Sequence, residues 1–264
     1  MALLALKLGL TPALIGLATL ASRRWGPAVG GLLIALPLTS GPVLFFLVLD
    51  QGASFAARAT EGSLAGSVAV GAFCLAYAWA GRRLPWWGSF GLACAAYVGV
   101  AIGLPLLVAG RLPVLLGIAL ATPPIALLLL PARTPLPAET APPWWDLPAR
   151  MVAGAALVVG ITAAAAALGP EASGLLATFP VFITVLAVFT HRREGPSRTL
   201  QLVRGVLFGM FGTIAFFIVL RLSLEQVGLA VAFPVGLALA VVIQAVGLRL
   251  LRRPEAAGGA AAAQ

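Results

Sequence analysis

The chain has 264 residues, 61% of them hydrophobic and only 9% charged, with a mean hydropathy of +1.06. Apolar runs of about 20 residues recur throughout, which excludes an ordinary water-soluble domain and identifies a polytopic membrane protein. The formal charge of +9 would suggest nucleic acid in a soluble chain; here basic residues gathered in cytoplasmic loops account for it.

Nine spans follow in order, at 2–20, 27–49, 61–81, 88–109, 112–131, 149–168, 171–191, 200–222 and 227–249. The first run lacks a charged n-region and is read as a span, not a cleaved signal peptide. Turn signals such as SRRWGP, DQGAS, GRRLPWWGS and GRLP separate the spans of the first half. A proline-rich polar linker at 131–148 divides the halves, and the tail 254–264 offers little that could pack. The fold expected is all-α: a first repeat at 1–110, a connector span and loop at 111–148, and a second repeat at 149–253.

Charge orients this layout. The loops after spans 1, 3, 5 and 7, with the C-terminus, hold thirteen Arg, from Arg23 and Arg24 to Arg252 and Arg253; the other side holds only Lys7, Arg58, Arg111 and Arg221. The Arg-rich side is therefore cytoplasmic, with the N-terminus out and the C-terminus in. Trp25, Trp79, Trp86, Trp87, Trp144 and Trp145 all fall on or beside that side, as an interfacial belt should. One Lys against sixteen Arg, amid abundant Ala and Gly, suggests a GC-rich bacterial genome and so an inner membrane.

The second span, Gly26 to Asp50, carries Pro27, Pro37 and Pro42 with Thr39 and Ser40 between the last two. Proline removes a backbone donor and frees a carbonyl that hydrocarbon cannot satisfy, so a break at mid-depth marks a candidate site. The pattern returns 143 residues later: Gly26, Pro27, Gly31, Leu32, Leu33 and Pro37 match Gly169, Pro170, Gly174, Leu175, Leu176 and Pro180. Twelve identities fall across 41 positions without a gap, against about four expected from so biased a composition. Spans 1–4 thus correspond to spans 6–9 around connector span 5. An odd offset of five spans inserts the halves in opposite senses, and their equivalent loops carry opposite charge bias.

With GPxxxGLL opening a broken span, this layout resembles inverted-repeat secondary transporters, particularly the bile-acid-symporter-like families whose broken helices cross. The resemblance is one of architecture over spans 1–4 and 6–9, and no site residue is carried over from it. It implies alternating access around a site near mid-membrane.

The residues themselves supply candidates. Pro37, Thr39 and Ser40 from span 2, with Thr178, Pro180 and Thr184 from span 7, bring hydroxyls and freed carbonyls that could hold a solute or a coupling ion. Half-helix N-termini at the breaks would favour an anionic group. Asp50, Arg58 and Glu61 form a candidate outer gate; His191, with Arg204 and the neighbouring arginines, forms a cytoplasmic counterpart that could attract an anion. No carboxylate lies at mid-membrane, which argues against a central proton relay. Gly62/Gly66 and Gly205/Gly209 are small-residue pairs for close helix packing, and Cys74 and Cys94 are read as packing residues.

One histidine and no buried acid cluster leave a metal enzyme or a serine hydrolase without its parts. The function expected is a secondary transporter or exporter of a small solute, with the site between spans 2 and 7. The alternative is a non-transporting membrane assembly or interaction protein whose breaks serve packing alone. No cofactor is called for beyond a coupling ion. The partners expected are the lipid bilayer, a small-molecule solute and, as an option, a second copy of the chain.

Overall fold

The computed structural model describes residues 2–37, 40–108, 110–132, 135–136, 141–168 and 178–252, with backbone alone at 2–8, 165–168 and 252. All regular structure among them is helical. In chain order the helices are α1 (Ala2–Trp25), α2 (Pro27–Ile34), α3 (Ser40–Gln51), α4 (Ala53–Ala80), α5 (Trp86–Val108), α6 (Leu112–Leu129), α7 (Asp146–Leu168), α8 (Val181–Glu194), α9 (Pro196–Val227) and α10 (Leu229–Arg252). Six of them, α4 to α7, α9 and α10, are long and apolar enough to cross a membrane.

Expected span 2 is two helices, α2 and α3, with Ala35 to Pro37 turning after α2; residues 38 and 39 lie outside the described residues. Expected span 7 is described only from its turn at Thr178 onward, through α8; residues 169–177, including the matched Gly169, Pro170 and Gly174, lie outside the described residues, as do residues 253–264. The third and eighth spans run longer than their apolar cores, because α4 and α9 begin directly after Gly52 and Gly195. Both glycines take φ near +85° with extended ψ (86°/167° and 85°/176°). Only glycine holds that conformation without strain, so each makes a one-residue corner between helices.

These boundaries recur at the 143-residue interval. α3 and α8 end at Gln51 and Glu194, and α5 and α10 begin at Trp86 and Leu229.

α4 and α9 form the centre. The apolar windows of these two helices are 56% and 61% buried, against 11% to 22% for α5, α6, α7 and α10. Glu61 meets Arg221, and the Gly71 position faces Met210, so α4 and α9 run antiparallel. α1 and α7 are antiparallel too: Arg23 reaches Asp146 at one end, while the Gly16 position faces Met151. α6 touches both α4 and α9. Large apolar side chains on the outer helices, such as Leu106, Leu107, Leu128, Val152 and Val242, are exposed, as lipid-facing surfaces are.

Helix association in such a setting depends on close backbone approach, because lipid is as apolar as leucine. The α2–α9 contact shows it. A Cβ on Gly205 would lie 1.9 Å from the Ala28 carbonyl oxygen, and one on Gly31 would lie 2.1 Å from that of Leu202. Elsewhere in the interior Phe73, Tyr77, Tyr97 and Phe216 have no exposed surface.

Candidate functional site

At the first break the chain leaves α2 because Pro37 cannot donate the N–H that Leu33 would accept. Leu36 N–H turns back to Leu33 O instead, at 3.2 Å. Pro37 is buried, and its carbonyl accepts Gly41 N–H at 2.8 Å, which starts α3. Ser40 is the half-buried first residue of α3; Thr39 lies outside the described residues. The freed Ala35 carbonyl accepts a hydrogen bond from the Thr213 hydroxyl of α9.

At the second break Pro180 is buried and caps α8, its carbonyl accepting Thr184 N–H at 2.9 Å. The Thr178 hydroxyl lies 2.6 Å from that of Tyr97 on α5. Thr184 is 5% exposed, and its Oγ1 has no hydrogen-bond partner among the described residues.

The two breaks meet the central helices reciprocally. A Cβ on Gly66 of α4 would lie 2.8 Å from Thr178 Cβ; a Cβ on Gly209 of α9 would lie 2.5 Å from Ala35 Cβ. Gly66 and Gly209 are 143 residues apart, and so are Ala35 and Thr178. Each half thus offers its glycine to the other half's break. Between the breaks lies a cavity of about 190 Å³ whose described walls are apolar, with Leu14 and Leu17 of α1, Leu33 and Leu36 from the first break, and Phe182 of α8.

The candidate gates are arranged differently from the sequence expectation. Asp50 and Arg58 are exposed, and among the described residues no ion pair joins them to Glu61. Glu61 instead pairs with Arg221 at 2.7 Å, tying α4 to α9. His191, in the last turn of α8, sets its ring against Tyr77 with centroids 5.8 Å apart. Both the His191 Nδ1 and the Tyr77 hydroxyl are buried without a hydrogen-bond partner among the described residues. Arg204 is half-buried on α9.

The strongest electrostatic feature lies at Asp146, inside the linker expected at 131–148. Asp146 opens α7 fully buried and takes three guanidinium groups: Arg23 at 2.7 Å, Arg193 at 2.9 Å and Arg150 at 3.0 Å. Arg150 also reaches Glu194 at 3.5 Å and lies over the Phe189 ring at 5.4 Å; Glu194 faces Arg198 at 3.9 Å. The cluster locks the ends of α1, α7 and α8 together. Its i, i+4 spacing from Asp146 to Arg150 is legible in the sequence; Arg23, 123 residues away from Asp146, is not.

Tyr97, Thr213 and Gln244 also escaped the sequence reading. Gln244 had a signal, as a lone amide in the middle of the last apolar span. Tyr97 and Thr213 had none, since each matters only through the break it touches. Among the described residues no group of His, Cys, Asp and Glu has the arrangement of a metal site. No family model, no curated protein and no solved structure matches this chain.

Proposed function

We propose that the protein is a secondary transporter or exporter of a small solute, built from two inverted repeats that alternate access around the pair of breaks. The observation that carries this reading is the reciprocal contact of Gly66 with Thr178 and of Gly209 with Ala35. A two-fold axis lying in the membrane plane would produce that exchange, with equivalent residues swapping partners between halves. The antiparallel pairing of α4 with α9 and of α1 with α7, which are equivalent helices in the repeat, supports it. The orientation that goes with the reading puts the Asp146 cluster at the cytoplasmic face of a bacterial inner membrane and the Glu61–Arg221 pair at the outer face.

The test is transport in reconstituted vesicles, screened over small anionic and neutral solutes. Replacing Thr39, Ser40, Thr178 and Thr184 together by alanine is expected to abolish flux while leaving insertion intact. Full flux in that variant would refute the assignment of the site.

The apolar lining of the cavity between the breaks favours a second reading, a membrane assembly or interaction protein that moves nothing. No flux for any solute, together with recovery of the chain in a stable complex from native membranes, would decide for it.

A further inference from the structure

We propose that the first break binds a small monovalent cation, held by the oxygen atoms of Leu32, Ala35, Thr213 and Gln244. Gln244 is 5% exposed in the middle of α10. Its Nε2 donates to the Gly209 carbonyl at 3.3 Å, which fixes the amide's orientation, because the flipped amide would set two oxygens against each other. Its Oε1 is then a buried acceptor with no partner among the described residues. A polar atom stranded in this way at mid-span calls for an occupant.

The neighbouring groups define which occupant fits. Leu36 N–H, the α-helical donor for Leu32 O, bonds Leu33 O instead. Leu32 O therefore faces outward at the C-terminal, partially negative end of α2. Ala35 O takes the Thr213 hydroxyl proton, which leaves the lone pairs of Thr213 Oγ1 unclaimed. The residues that carry these atoms border one position: a Cβ on Gly209 would lie 2.5 Å from Ala35 Cβ, 2.8 Å from Leu32 O and 3.4 Å from the Gln244 amide nitrogen.

Among the described residues the Thr213 O–H and one of the two Gln244 amide N–H groups are spent on carbonyls, so the cluster presents more acceptors than donors, which disfavours an anion. A divalent ion would want carboxylates, and the one described carboxylate on α2, α9 and α10, Glu225, lies in the last turn of α9. Neutral carbonyl, amide and hydroxyl oxygens at a half-helix C-terminus suit a monovalent ion. If the transport reading holds, this is the coupling-ion site; the binding itself does not depend on that reading.

The experiment uses the purified full-length protein in detergent, with thermal unfolding followed in sodium chloride and in choline chloride at equal ionic strength. Sodium is expected to raise the midpoint by about 2–4 °C. The shift should vanish in Gln244→Leu and in Thr213→Val, and persist or grow in Gln244→Glu, which keeps an oxygen and adds charge. A wild-type midpoint indifferent to sodium would overturn the proposal and leave a bound water as the occupant. A shift that survives Gln244→Leu or Thr213→Val would overturn it as well. Sodium binding without solute flux in vesicles would count against transport and not against this site, and flux without a sodium shift would do the reverse.

Discussion

α3 and α8 occupy equivalent places after the two breaks, yet they are held in opposite ways. α8 buries Ile183, Thr184, Val185, Leu186, Ala187 and Thr190 and ends in the Asp146 cluster. α3 buries only Gly41 and Leu44, exposes Phe45, Phe46 and Leu49, and ends at an exposed Asp50. Two halves of similar sequence thus stand in different environments. α8 is anchored along its buried face and at its end, whereas α3 is held at two positions only.

The largest expected effect comes from cutting the anchor. Asp146→Asn leaves Arg150 buried with reduced compensation and should cost about 3 kcal/mol or more, read as a fall in thermal midpoint with the chain still inserted. If the variant is as stable as wild type, the contrast between α3 and α8 has another cause. Next come the glycines. Gly209→Ala should cost about 2–3 kcal/mol, because Leu32 O and Ala35 Cβ both crowd the site; Gly66→Ala should cost about 1–2 kcal/mol, because one residue, Thr178, supplies the three nearest atoms and a shift of it alone makes room. Gly99→Ala, with no neighbour within 4 Å among the described residues, should stay within about 0.5 kcal/mol. Equal penalties at Gly66 and Gly209 would mean that the breaks are packed alike after all.

The hydroxyls give a smaller contrast. Thr213→Val strands the Ala35 carbonyl and should cost about 1–2 kcal/mol, whereas Tyr97→Phe leaves Thr178 able to bond its own backbone and should cost about 0.5–1 kcal/mol. Thermal unfolding of the two side by side ranks them. The smallest effect is expected at the other end of the bundle. Glu61→Gln weakens one partly exposed pair and should cost about 0.5 kcal/mol or less, with a larger effect on flux than on stability if that pair is the outer gate.

Much of the plan was readable from the residues. Membrane class and the place of the long apolar helices follow from apolar run length, with six described helices long and apolar enough to cross against nine expected spans; the corners at Gly52 and Gly195 emerge only in the structure, at a residue type that alone tolerates their backbone. The breaks were harder. Pro12, Pro105, Pro123, Pro124 and Pro234 sit inside continuous helices, whereas Pro37 coincides with a break. Proline frees the carbonyl four residues before it in every case; at Pro37 that carbonyl is Leu33's, taken by Leu36 N–H, and the Thr213 hydroxyl, from the opposite half of the chain, takes the Ala35 carbonyl beside it.

By itself, then, the sequence determined where helices form and that two stretches of it are alike, because hydropathy and backbone permission act over a few residues. Only the tertiary structure decided which partners meet: Glu61 with Arg221 and not Arg58, Thr178 with Tyr97, three arginines on Asp146, and Gln244 beside the end of α2. Tyr97 and Thr178 stand 81 positions apart, and Gln244 stands more than 200 from α2; such pairings are fixed by how helices register against one another, which no local pattern encodes.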